Sequence, residues 1–364
     1  MKYIEEFRDS SQVRRILDAI EALGFTEDVN LMEICGTHTH SISKYGIRGV
    51  MPSGVRLLSG PGCPVCVTTE EEIDAIVKFA RENRDVVIAT FGDMIKVPGS
   101  VGSLEGVRAE GADVRVVYSP LDALKIAIKE TEKEVVFCAV GFETTAPAVG
   151  ATVLKAIEQG VDNFSILSLH RLTPPAMRAL MESSDVRIDG FICPGHVTTI
   201  IGSVAYRFLA EQYRTPCVVA GFEPLDALLG IYMLLKQIKE GRADIEVEYS
   251  RVVTADGNPK AKRILERLFK VVDADWRGFG LVPMSGLKLK EEFYLYDAEK
   301  RFYIRRVEPE DGSPECRCGD VLRGLITPEE CPLFNTICTP ESPRGPCMVS
   351  TEGTCAAYYR YERR

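Results

Sequence analysis

Hydrophobic positions along the chain follow two alternating rhythms. Short runs rich in Val, Ile and Phe occur at 86–93 (VVIATFGD), 114–118 (VRVVY), 135–143 (VVFCAVGFE), 164–170 (FSILSLH), 190–196 (GFICPGH) and 216–223 (PCVVAGFE). Between them lie stretches whose apolar residues recur at helical spacing, such as IDAIVKFA after Glu72. Strands alternating with helices build βαβ units, so the pattern predicts an α/β fold with mainly parallel sheets. Several runs end in glycine and a polar residue, which puts those residues at the carboxyl edge of a sheet, where such folds bind ligands.

The pattern also echoes itself. Gly141-Phe142-Glu143 and Gly221-Phe222-Glu223 each lead into a helix-like stretch, and Pro-Leu-Asp-Ala-Leu occurs at both 120–124 and 224–228. Proline at the first helical position with an acid in the first turn is a sound helix start. These echoes predict two related α/β lobes, over 30–127 and 128–240. A third region, 241–364 together with 1–29, carries a strand, a turn and a helix before a cysteine-rich tail.

Composition narrows the function. The 364 residues are 45% hydrophobic and 27% charged, enough to bury more than one core. A formal charge of -9 argues against binding a phosphate backbone, so nucleic acid is not an expected partner. No run reaches the ~20 apolar residues of a membrane span, and the charged, amphipathic start is unlike a secretory signal; the expected compartment is the cytoplasm. There is no Gly-x-x-x-x-Gly-Lys-Ser/Thr loop, so a P-loop nucleotide site is not expected.

The twelve cysteines change the picture most. In a reducing cytosol that number points to metal ligation or redox work. Cys316, Cys318, Cys331, Cys338, Cys347 and Cys355 crowd a Pro/Gly-bent tail, which suits a 4Fe-4S cluster with four thiolate ligands. Structural zinc is the rival, although zinc sites favour tighter CxxC pairs. Spacing does not choose the four ligands. Cys138 and Cys217 read as small buried hydrophobes.

Two further motifs lie near the start. Cys63-Pro64-Val65-Cys66 precedes Thr69 and Glu72, a capping box, which predicts a dithiol beside a helix N-terminus whose dipole lowers a thiol pKa. Half of a zinc site is the alternative. Cys35-Gly36-Thr37-His38-Thr39-His40 places a soft thiolate beside two imidazoles, suited to binding iron or to nucleophilic work. The other two histidines, His170 and His196, stand at predicted strand ends, as do Asp93 and Glu143, for which helix capping is the expected role.

Taken in order, CGTHTH at 35–40, GPGCPVCVTTE at 60–70, GFETTAP, HRLTPPAM, CPGHV and the tail from CRCGDVLRG to CTPESPRGPCMVSTEGTCAAYYRYE resemble the signatures of the HypD family of hydrogenase maturation proteins. The resemblance covers nearly the whole chain. It implies a scaffold, shared with a HypC-type chaperone, on which an iron atom receives two cyanides and one carbon monoxide for the large subunit of nickel-iron hydrogenase. Cyanide comes from a HypE-type donor. By motif, Cys35 is implied as the iron anchor, His38 as its neighbour, and Cys63 with Cys66 as the redox pair. The resemblance further implies Cys316, Cys331, Cys338 and Cys355 as cluster ligands and Cys318 with Cys347 as a disulfide beside the cluster. An iron-sulfur thiol-disulfide reductase is the alternative function, and a purely structural binding module is a third.

Overall fold

The computed structural model describes residues 9–307 and 316–363. Eleven strands are found among them: β1 (Val29–Glu33), β2 (Val55–Ser59), β3 (Val87–Thr90), β4 (Val114–Val116), β5 (Val135–Gly141), β6 (Phe164–Arg171), β7 (Gly190–Pro194), β8 (Cys217–Ala220), β9 (Ile245–Val247), β10 (Phe269–Trp276) and β11 (Gly280–Leu289). They form two sheets. The first is wholly parallel, in the order β2-β1-β7-β8-β9; the second runs β10-β11-β6-β5-β3-β4. In the second, β6, β5, β3 and β4 are parallel, and the β10–β11 hairpin adds antiparallel to β6.

All six expected strands are present, and the fold is α/β as expected. The lobes are cut differently. Strands β1 and β2 pair with β7, β8 and β9, whereas β3 to β6 join the other sheet, so each expected lobe contributes to both sheets. The chain leaves the first sheet after β2, builds the parallel part of the second, and returns at β7. Residues 245–289, expected within a third region, complete both sheets, and the helix Ser10–Ala22 shares a core with the helix Pro224–Lys239 against the first sheet.

Burial explains why the strands read as unbroken apolar runs. β5 and β6 are buried at every position, because helices cover one face of the second sheet and further helices, Glu70–Glu82 among them, pack with the tail on the other. Val140, Phe142 and Trp276 share that core with Cys318, Cys347 and Cys355. The cysteine-rich segment is therefore fused to the second sheet through a common core.

Both echoes mark equivalent places. Gly141 ends β5, Gly221 directly follows β8, and the repeated Pro-Leu-Asp opens the helices Pro120–Lys129 and Pro224–Lys239 with proline in the first turn. Ser119 caps the first by accepting the Asp122 N–H; Glu223 and Asp226 form a reciprocal box on the second.

Candidate thiol and metal centre

Strand order fixes where the first sheet opens. From β1 the chain moves outward to β2 on one side, while β7, β8 and β9 succeed one another on the other, so the crevice lies beyond the ends of β1 and β7. Cys35 stands there, two residues after β1, and caps the N-terminus of the helix Gly36–Lys44 in an extended conformation. Desolvation pushes its thiol up to about 12, with the Glu352 carboxylate adding to the effect and the amides of His38 and Thr37 opposing it. The thiol is thus protonated until a metal or base removes the proton.

Three segments close on Cys35. The Gly36 N–H donates to the Gly62 carbonyl at 2.9 Å. A Cβ on Gly62 would fall inside the Cys35 backbone, so only glycine lets this loop lie so close. On the other side a Cβ on Gly36 would meet Glu352, whose carboxylate accepts the Thr37 hydroxyl at 2.7 Å. Beneath them Glu33 is buried, accepting the Thr39 hydroxyl at 2.5 Å and the Cys35 amide at 3.1 Å, and burial raises its carboxyl to about 7. Sequence reasoning missed Glu33 and Glu352, since neither carries a motif of its own.

The helix Gly36–Lys44 also holds the loop after β8. His38 Nε2 donates to the Gly221 carbonyl at 2.8 Å, and the Ser41 hydroxyl donates to the Phe222 carbonyl at 2.7 Å. That bond fixes the tautomer and leaves His38 Nδ1 buried without a partner among the described residues. Burial drives the imidazole down to about 4, so it is neutral at physiological pH. Phe222 lies 4.7 Å from the His38 ring and 4.1 Å from that of His196. His40 packs edge-on to Tyr361, and His170 is buried in the second sheet, its Nδ1 on Ser168, outside this crevice.

The dithiol sits on a short helix of its own, Pro64–Val67, with Cys63 at its cap accepting the Cys66 N–H at 3.3 Å. Burial and, less strongly, the Glu352 carboxylate act to raise the Cys66 thiol, but hydrogen bonds with Cys347 and Cys63, with a smaller contribution from the Arg277 charge, overcome them and bring Cys66 down to about 6. Cys63 moves well upward through burial. A lowered thiol is thus found, but neighbouring thiols and the Arg277 charge lower it, while Cys63, at the helix cap, moves up. The capping box of Thr69 and Glu72 is present one turn later, and Glu72 additionally pairs with buried Arg171 at 2.6 Å.

Asp93 and Glu143 depart from simple capping. Glu143 accepts the Thr173 N–H at 2.8 Å, capping the helix after β6 in place of its own, and burial lifts it to about 7. Asp93 accepts the Ser350 hydroxyl at 2.7 Å and so ties the second sheet to the tail.

The tail cysteines converge. All six line one small pocket walled by Val321, Phe334 and Met348. Cys318 and Cys347 touch, sulfur to sulfur, at 2.7 Å, and Cys347 also bonds to Cys66 and Cys355. A continuous row of thiols therefore runs from Cys63 through Cys66 and Cys347 to Cys318. Around the rest of the pocket, Cys316 interacts with Cys331 and Cys355, and Cys338 with both. A Cβ on Gly345 would sit 2.7 Å from the Cys316 sulfur, and the Arg344 N–H points at the Cys338 sulfur at 3.3 Å. Soft donors, an apolar wall and an amide aimed at sulfur fit an iron-sulfur cluster. Among the described residues, no three His, Cys, Asp or Glu side chains are posed around a single metal ion. No described helix is long and apolar enough to cross a membrane.

The HypD family model, described as a hydrogenase formation family, matches residues 11–362. The chain is 47% identical to hydrogenase maturation factor HypD2 of Bradyrhizobium diazoefficiens, over 100% of this chain and 97% of that protein. It is 46% identical to HypD of Cupriavidus necator, over 100% and 98%, and 41% identical to HypD of Escherichia coli, over 100% and 99%. With a family match over residues 11–362 and relatives 41–47% identical over the whole chain, the chain belongs to the HypD family.

Proposed function

We propose that this protein is a hydrogenase maturation factor that acts as an assembly scaffold: Cys35 anchors an iron atom while two cyanides and one carbon monoxide are added to it. The observation that carries the reading is the place of Cys35. It is a half-buried thiol at the switch point of a parallel sheet, walled by the dithiol loop and the tail. One protein thiolate, shared with a thiolate of a HypC-type chaperone, holds iron firmly yet lets it pass on to the hydrogenase large subunit. Cyanide would come from a HypE-type donor, and the work would take place in the cytoplasm.

The surrounding residues suit that cargo. Losing the Cys35 proton to iron removes the cost of a buried thiolate, and the His38 and Thr37 amides already face the sulfur. Neutral His38 offers a free Nδ1 lone pair in the crevice. Cyanide and carbon monoxide favour low-spin, low-valent iron, so the site needs a supply of electrons. A 4Fe-4S cluster held by Cys316, Cys331, Cys338 and Cys355 would supply them singly. The Cys318/Cys347 and Cys63/Cys66 pairs would take them up two at a time as dithiols.

The row of thiols also favours a second reading, an iron-sulfur thiol-disulfide reductase in which iron delivery is incidental. The two differ in the iron cargo. Replacing Cys35 by Ala and isolating the protein with its chaperone should leave cluster absorbance intact while the cyanide and carbonyl infrared bands disappear. Bands that persisted would move the anchor to Cys63 or Cys66, and a wild-type complex that never showed them would favour the reductase.

A further inference from the structure

The turn of the β10–β11 hairpin lies against the dithiol. Arg277 donates its backbone N–H to the Val67 carbonyl at 2.9 Å and its Nε to the Thr68 carbonyl at 3.0 Å. These are the two residues after Cys66, at the carboxyl end of its short helix, where a cation is favoured. Gly278, at φ 83°, packs directly against Gly319, the residue after Cys318. One three-residue turn, Arg277 to Phe279, therefore touches the segments that carry both dithiols. Its root is held by Trp276, which stacks on Phe142 at 5.9 Å and donates its indole N–H to Ser285 at 2.8 Å.

The Arg277 guanidinium is only half satisfied. Its Nη2 is buried and has no hydrogen-bond partner among the described residues. A buried cationic donor without an acceptor is costly, and such groups persist where a negative charge forms. The Arg277 charge lowers the Cys66 thiol against the opposing Glu352 carboxylate, the smallest of the influences there, and it also acts to lower the nearby Glu70, which burial raises.

We propose that Arg277 is a positioning residue for thiol exchange: its turn clamps the Cys63/Cys66 helix against the Cys318/Cys347 pair, and its guanidinium stabilises negative charge on the Cys66 sulfur. The proposal rests on the redox reading of the two dithiols. In the exchange, Cys347 gives up its proton to the departing Cys63 as its sulfur attacks the Cys66 sulfur of a Cys63–Cys66 disulfide. The Cys318 thiolate then attacks Cys347, the Cys318–Cys347 bond forms, and Cys66 leaves as a thiolate. One disulfide is reduced, the other dithiol is oxidised, and the two electrons are conserved. The second departure is the step that a cation beside Cys66 assists, because a stabilised thiolate leaves faster.

The test uses the full-length protein with Arg277→Gln and Arg277→Lys. Samples are equilibrated in a stepped series of glutathione buffers, acid-quenched, unfolded and thiol-trapped, and the Cys63/Cys66 pair is quantified by mass. Gln keeps a donor for Thr68 but loses the charge. The reduced-to-oxidised ratio should fall about tenfold at neutral pH, equivalent to about 30 mV for a two-electron couple, with the melting temperature unchanged. Lys should stay within about threefold of wild type. A folded Gln variant with an unshifted ratio overturns the proposal. So does a Lys variant shifted as far as Gln, which would mark the fork and not the charge as what matters. Should the Gln variant fail to fold, the Lys variant alone decides, and a shift beyond threefold refutes the charge role. A wild-type pair that never oxidises across the series would instead bring down the redox reading itself.

Discussion

Gly62 rests on the backbone of Cys35 so closely that no side chain fits between them. The contact binds the loop of the Cys63/Cys66 helix to the candidate iron anchor, and it makes a sharp prediction. Gly62→Ala must push the two segments apart, at an overpacking cost of about 1–3 kcal/mol. The melting temperature should drop by several degrees, and co-isolated iron should fall together with the infrared bands. A variant as stable and as iron-loaded as wild type would show the contact to be dispensable.

The two thiols of the CxxC helix should behave unequally. Cys66 is held down to about 6 while burial holds Cys63 well up, so near neutral pH the pair carries one thiolate, on Cys66. Thiolate absorbance should titrate with a midpoint near 6 and vanish in Cys66→Ala but not in Cys63→Ala. Thiol trapping should also find the pair oxidised under mild oxidants. Permanent reduction, or tight zinc in the purified protein, would end the redox assignment.

Replacing Cys331 or Cys338 by Ala should abolish an oxygen-sensitive 4Fe-4S cluster. Cys318→Ala should leave most of the iron and sulfide in place. Its effect should instead be to strand Cys347, which touches Cys318 at 2.7 Å, without a partner for exchange. Iron and sulfide analysis with visible absorbance distinguishes the outcomes. Full cluster content in the Cys331 or Cys338 variant would refute the ligand set.

His38 predicts a pH dependence with a definite sign. Folded, its imidazole titrates at about 4; unfolded, near 6.5. Between these values the unfolded chain binds the extra proton, so this contribution is full above pH 6.5 and is lost as pH falls toward 4. The span corresponds to about 3 kcal/mol. Glu33, raised to about 7, slopes the other way, contributing fully below about 4.5 and less as pH rises through 7. Comparing wild type with His38→Gln, which keeps the donor to Gly221, isolates the histidine. Urea midpoints at pH 7 and pH 5 should diverge more for wild type than for the variant, and parallel behaviour would refute the assignment.

Much of this was legible because local rules were obeyed. The apolar runs became strands, the repeated Pro-Leu-Asp opened two helices, and the Thr69–Glu72 box formed as its spacing requires. Partner choice was not legible. A β-branched run says that a strand exists but not which strand lies beside it, so nothing in 29–59 announces pairing with 190–247. Histidine motifs were equally ambiguous: His38 and His196 flank Phe222, while His170, at a similar strand end, turns into the second sheet's interior. Glu352 and Arg277 matter through contacts made across long stretches of chain, which no periodicity encodes, and Glu33 through local bonds to Cys35 and Thr39 that no motif marks.

The interleaved sheets also set a schedule for the nascent chain. Cys35 is synthesised early, with β1 and β2, yet β1 lacks its second neighbour until β7 emerges more than a hundred residues later. Even then the crevice is unfinished. Its outer wall comes from Glu352 against Gly36. A ribosome-bound chain short of that residue displays the thiol without this wall. Folding order thus delays completion of the crevice: only a molecule translated through residue 352 presents Cys35 between the Gly62 loop and Glu352.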